Sequence, residues 1–550
     1  MKYSLLFFFA FIFVKISNAQ APLCSWADLG AGNTRDFGSR VCTDHSGNVF
    51  VVGYFNSSGY SIGSFSVTNN GNYDFFIAKL DSTGTVKWLK KGGGTDFDQA
   101  YGVAVDTSGN VFVTGTFRSA TMVLGTVSLT NSNSGSDQTF IAKYDGTGML
   151  LWAKTNTGAF SSIGHGVAVD ATGSSYLVGS FGGSSITFGS ITATSTSQTG
   201  NMYITKYSPS GVEQWVHIDS VDNAEAIALD ISGNIYISGR FSRPTVSMGT
   251  TILTGIGTNS NVFIAKYNSA AVAQWAKVIS SASQTSSASV ATDHSGNVIV
   301  TGTYYGDTVS IGGISHANTS SGTSDMFLAK YSSTGILQWG KSIGAVGDDD
   351  SHDIATDKSD NIYFTGGFGG SVINFDAIHL NGLGSADMFL VKYNSQGIPQ
   401  WAKVGGGNYA DEGYGVALSK SGAIYVTGYF ESATMSLGNI SLSNTATLDA
   451  DMFICRIGAL STGISEFEKD NELSLYPVPS SGMLNISGIS SIGSTMEIYD
   501  ITGNLITTKV LDIPAVNIDL SEVSIGMYLY RIYTKEEELL RTGKIILSKN

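Results

Sequence analysis

Charge is scarce in this chain of 550 residues: Asp, Glu, Lys and Arg make up 13%, and 30 basic side chains face 44 acidic ones for a formal net charge of −14. Binding to a phosphate backbone draws mainly on clustered Lys and Arg. Nucleic acid is therefore not an expected partner. Beyond the first residues no apolar run approaches the eighteen or so that a spanning helix needs, so no transmembrane segment is expected. Proline numbers 7 and cysteine 3, and neither a Cys-pair nor an H-E-x-x-H spacing occurs, which argues against zinc. The seven histidines read as occupying unrelated positions. No stretch shows helical periodicity.

What the chain has is glycine, 67 of them, with Ser, Thr and Asn, and Tyr, Phe, Val and Ile recurring between. Many short strands joined by tight turns need this mixture. The opening MKYSLLFFFAFIFVKISNA has Lys2, an apolar run and small residues at Ser17 and Ala19, so residues 1–19 read as a secretory signal peptide.

The tryptophans repeat at intervals of 60 to 64 residues: Trp26, Trp88, Trp152, Trp215, Trp275, Trp339 and Trp401. Seven glycines in TG-like contexts, Gly53, Gly115, Gly179, Gly239, Gly302, Gly366 and Gly428, keep the same period, and each is followed ten residues on by another Gly, except that Asp376 stands in the sixth copy. Two markers with one period indicate a repeat architecture. Within one unit YGVAVD, VFVTGTF, TFIAKYD and MLLWAK read as four antiparallel strands, with an Asx turn at Asp106 and a longer excursion between the second and third. Such units bury both faces only by stacking radially. The expected fold over residues 20–457 is an all-β, seven-bladed β-propeller of four-stranded blades.

The segment DMFICRIGALSTG at 451–463 lacks the tryptophan that follows its six counterparts. Trp26, in CSWADLGAG, supplies it if the two chain ends share one blade and close the ring. Cys24 and Cys455 then fall opposite each other or one step apart, a separation that suits a disulfide. Two buried free thiols are the alternative.

After 457 the period stops. Residues 458–471 read as a linker, and 472–550 as a small β-sandwich. The repeats, through DxSGNxYxTGxF and FIAKYxxxGxxxW, resemble the SBBP-type bacterial propeller repeat. The tail resembles the type A sorting domain of the type IX secretion system through Tyr476, Pro477, Pro479, Tyr499, Asp500, Gly503, Gly526, Tyr528 and Gly543–Lys544. Val478 departs from that family's usual Asn. The resemblance implies recognition by the type IX secretion machinery and delivery through the periplasm to the medium or the outer surface.

Chemistry is harder to find. Gly59-Tyr60-Ser61-Ile62-Gly63 has the form of a nucleophile elbow, but its counterparts read as hairpins, so no catalytic residue is assigned. Ten residues after the Trp stand Asp36, Asp98, Asp349 and Asp411, with Glu225 or Asp222 in the fourth copy. Converging on one mouth of the channel, they would suit Ca²⁺; capping their own loops is the competing role. No other cofactor is expected. The functional expectation is a monomeric secreted or surface-displayed scaffold for binding or adhesion, with glycan or protein ligands contacting aromatics such as Tyr60, Tyr304, Tyr305 and Tyr409. A lyase or glycosidase on the same scaffold and a structural matrix component are the alternatives.

Overall fold

The computed structural model describes residues 21–458 except 199, 257–258 and 446–448, and residues 474–548 except 477–479, 489–492, 501–504, 514 and 535–538. The expected signal peptide, nearly all of the linker, and Pro477, Pro479 and Gly503 lie outside the described residues. The chain divides into two compact units, Met1–Gly458 and Ala459–Asn550.

Among the described residues the regular elements of the first unit are all strands. Among the described residues seven four-stranded antiparallel sets recur, the second running Asp98–Val105, Val111–Phe117, Gln138–Tyr144 and Leu150–Thr157 in spatial order. Its first turn is fixed by Asp106, whose Oδ1 accepts from the amides of Ser108 and Asn110 at 2.9 Å while Gly109 takes φ +80°. In the sixth copy Asp360 holds that conformation instead, at φ +60°.

The seventh set draws on both ends of the unit. Its strands Asp411–Leu418, Ile424–Phe430 and Asp451–Ile457 are completed by Cys24–Ala31, with Trp26 opposite Arg456 and Leu29 opposite Phe453. The first strands of consecutive sets touch in turn, from Asp36–Thr43 onward, and Asp411–Leu418 comes back against Asp36–Thr43. Each set is thus flanked by two others, so its middle strands are buried on both faces; every residue of Val111–Phe117 and Gln138–Tyr144 is buried.

The repeated signature residues tie neighbours together. The indole N–H groups of Trp26, Trp88, Trp152, Trp275 and Trp339 donate to turn carbonyls of the following set, as in Trp88 Nε1 to Gly146 O at 3.2 Å. The lysine of the FIAKY strand donates to the same carbonyl, Lys79 Nζ to Gly146 O at 2.9 Å. Its counterpart Lys330 also pairs with Asp293 at 2.8 Å, joining the DxSGN turn to the network. The excursions form small hairpins, and three of them extend the outer strand of the preceding set, as Gly59–Ile62 does for Cys24–Ala31. In the sixth hairpin Asp376 replaces the usual glycine, accepts φ +50° and pairs with Lys341.

The second unit holds a three-stranded sheet (Ser474–Tyr476, Met483–Ser487, Ala515–Asp519) and a four-stranded sheet (Leu505–Leu511, Ser494–Asp500, Gly526–Tyr533, Leu539–Leu547). Leu484, Ile486, Ile498, Ile518, Ile532 and Ile545 form one core between them. Tyr528 donates its hydroxyl to Ser524 O at 2.7 Å, and Lys544 lies opposite Leu529.

Candidate ligand-binding site

Every first strand breaks its ladder at the same place. Between Gly38 and Arg40, Ala100 and Gly102, Gly164 and Gly166, and at the four equivalent positions, one residue is left unpaired: Ser39, Tyr101, His165, Glu225, Ala288, His352 and Tyr414. A β-bulge of this kind bends the strand and re-aims a side chain. The TG glycines are its imprint on the partner strand: a Cβ on Gly53 would lie 1.8 Å from Phe37 O, and one on Gly115 1.9 Å from Gln99 O.

The seven bulge positions border one cavity of about 360 Å³, which all seven first strands line. Its side chains are prearranged. The His352 ring stacks on Tyr414 at 4.0 Å and 16°, and its Nε2 lies 2.9 Å from Glu412 Oε2. Burial would raise the Glu412 carboxyl, but that hydrogen bond holds it below its usual value. Across the cavity Tyr101 and His165 stack at 6.4 Å and 25°. Burial, reinforced by Arg240, pushes His165 down to about 4, so its imidazole is neutral at pH 7. Glu225 accepts from Ser287 Oγ at 2.5 Å and from Asn223 Nδ2 and Arg240 Nε at 3.0 Å. Arg40 reaches the bulge carbonyls of other sets, with Nη1 at 2.7 Å from Tyr414 O and Nη2 at 3.5 Å from Ala288 O.

Of the residues expected from the sequence, Glu225 lies at the cavity and the four aspartates do not. Asp36, Asp98, Asp349 and Asp411 are fully buried at the heads of the first strands. Asp36, Asp98 and Asp411 each take a serine hydroxyl from their own set, Ser57 at 2.9 Å and Ser119 and Ser432 at 2.7 Å, while Asp349 takes the Ala345 amide at 2.6 Å. In the fourth copy the equivalent residue is Asp222, bonded to Ser242 at 2.6 Å; Glu225 is the bulge residue. Among the described residues no three His, Cys, Asp or Glu side chains gather as a metal site. His165 and His352 share a repeat position, correcting the reading of the histidines as unrelated. Tyr60 and Tyr304 are wholly buried, whereas Tyr305 and Tyr409 are 39% and 49% exposed.

Cys24 and Cys455 are buried free thiols in contact. Cys24 faces Ile457 and Cys455 faces Ala27, a diagonal placement caused by the bulge between Cys24 and Trp26. The contact with Cys455 holds Cys24 below its ordinary value, while the contact with Cys24 and burial push Cys455 well above.

Burial pushes Asp36 and Asp349 up to about 8. A carboxyl raised in the folded state contributes stability that is complete below its unfolded value near 3.8 and is lost as pH climbs to about 8. Melting temperature is expected to fall across this window and then level off. Each group adds a slope of up to about 1.4 kcal/mol per pH unit. The double variant Asp36→Asn, Asp349→Asn should flatten the profile, and an unchanged slope would show that neither carboxyl is protonated in the fold.

Residues 474–548 match the model of the secretion system C-terminal sorting domain. An uncharacterized WD repeat-containing protein of Acanthamoeba polyphaga mimivirus is 24% identical over 506 residues, covering 75% of this chain and 36% of that protein, so the chain spans about a third of the relative's length. Among solved structures, the Dos1 propeller is similar with a TM-score of 0.40 at 8% identity, covering 80% of this chain and 96% of that one. PorZ, a surface component of the type IX secretion system of Porphyromonas gingivalis, gives 0.21 at 11%, covering 94% and 100%. An ulvan lyase gives 0.37 at 12%, covering 76% and 97%. Among the described residues no helix is long and apolar enough to cross a membrane. The chain carries a type IX secretion C-terminal sorting domain and is exported to the cell surface or beyond it.

Proposed function

We propose that the chain is an exported seven-bladed β-propeller of SBBP-type repeats, closed by its own two ends and followed by a sorting β-sandwich, whose central cavity binds an extracellular saccharide. The observation that carries this reading is the ring of bulges. Seven equivalent backbone positions present Ser39, Tyr101, His165, Glu225, Ala288, His352 and Tyr414, five kinds of side chain with only Tyr and His occurring twice. A structural position repeats its residue, as the TG glycines do; a position used to recognise an asymmetric ligand does not. Stacked rings beside satisfied polar groups in a concave site suit a sugar better than a flat protein surface.

A glycan array probed with the purified protein and with the double variant Tyr101→Ala, Tyr414→Ala tests this. The wild type should bind a defined set of glycans and the variant should lose it, by about tenfold or more. Retention of full binding by the variant would move the site away from the cavity. Turnover of a bound glycan would turn the scaffold into an enzyme and direct attention to Glu225 and Asp350, whose carboxyls are both raised by burial.

A further inference from the structure

Arg40 reaches from its own set to the bulge carbonyls of two others. Its guanidinium carries five N–H donors. Nη1 gives its two to Ser39 O at 3.1 Å and Tyr414 O at 2.7 Å, and Nη2 gives one to Ala288 O at 3.5 Å. Those last two carbonyls belong to bulge residues and stand outside the regular ladder, which is why a side chain from another set can take them. The Nε–H and the second Nη2–H have no partner among the described residues. Three bonds therefore hold a half-buried guanidinium in place and leave a pair of donors available within the cavity.

Two other ionisable pairs at the cavity are bonded to each other. Arg240 is 3.0 Å from Glu225, and His352 is 2.9 Å from Glu412. Asp350 faces the same space, where Thr303 hydrogen-bonds its carboxylate. A fixed guanidinium fork recognises a planar carboxylate through two parallel hydrogen bonds, and does so better than an ammonium. The flanking Tyr414–His352 and Tyr101–His165 stacks supply faces for a pyranose ring.

We infer that Arg40 is a specificity-determining residue that selects a carboxylate-bearing sugar, a uronic acid, within the cavity. The inference rests on the saccharide reading above and deepens it.

Calorimetric titration with D-glucuronate, D-glucose and acetate, each at millimolar concentration, provides the test. Glucuronate should bind wild type at least about tenfold more tightly than either other probe. Arg40→Met should remove that preference, and Arg40→Lys, which keeps charge but not the fork, should recover only part of it. Melting temperature and near-ultraviolet circular dichroism establish that each variant is folded. Glucuronate binding no better than glucose, or equally well to folded Arg40→Met, overturns the inference. Should both sugars bind alike and both be lost in Tyr101→Ala, Tyr414→Ala, the cavity reading stands and the carboxylate preference alone falls. Acetate binding as tightly as glucuronate would make this an anion pocket and overturn the sugar. Absence of glucuronate binding overturns the inference while leaving the array result to judge the cavity.

Discussion

Removal of residues 459–550 is expected to leave the repeat unit folded and to stop it reaching the cell exterior. Two observations make this an all-or-none expectation. The matched sorting domain, 474–548, lies wholly within the second unit. That unit has its own core, from Leu484 to Leu547, and among the described residues the repeat unit's hydrophobic clusters are drawn from residues before 458. Removing the tail therefore takes away a unit that has a core of its own. Cell fractionation of the truncated chain should find it in the periplasm with an unchanged melting temperature. Conversely, residues 459–550 joined to an unrelated periplasmic protein should carry that protein out. Undiminished export of the truncated chain would place the sorting signal elsewhere.

The contrast between what could be read from the sequence and what could not has a physical basis. Trp88, Gly115 and Asp106 recur because each solves a backbone problem present in every unit: an indole donating to the next turn, a partner strand passing too close for a Cβ, a hairpin needing its amides satisfied. Periodicity reveals such residues. Tyr101, His165 and His352 share a position with Ser39 and Ala288 and no common chemistry, so no repeat signal marks them. The TG glycines did carry the clue, since a glycine demanded seven times in a strand interior points to a bulge opposite. Counting from each glycine back across the hairpin reaches the bulge residue. Asp36, Asp98 and Asp411 recur for a backbone reason as well, each taking the hydroxyl of a serine in its own set. The register of Cys24 and Cys455 was legible only to within two residues, because the bulge before Trp26 has no counterpart in composition.

Oxidation is expected to join Cys24 to Cys455 and to raise the stability of the whole repeat unit. The strand Cys24–Ala31 pairs along the outer edge of Asp451–Ile457, and it also supports the Gly59–Ile62 hairpin and the Trp26 bond to Ser82 O. If it peels away, Cys455 and its neighbours lose their cover, and the contact between the two ends of the unit opens. The two thiols already touch inside one hydrophobic cluster that includes Met388, Trp401 and Phe453. A disulfide there would close a loop of more than four hundred residues. The chain-entropy model assigns such a loop about 6 kcal/mol, and strain brings realised values nearer about 2 to 4 kcal/mol. In a unit this large that is a rise of several degrees in melting temperature on oxidation by air or a disulfide reagent, reversed by reductant. Thiol counting on the denatured, oxidised protein should return one group, Cys42, which is half-buried in a different cluster. Cys24→Ser should abolish the redox dependence and melt like the reduced wild type. Three thiols after oxidation, or a melting temperature indifferent to reductant, would mean that hydrogen bonds and packing alone hold the two ends of the unit together.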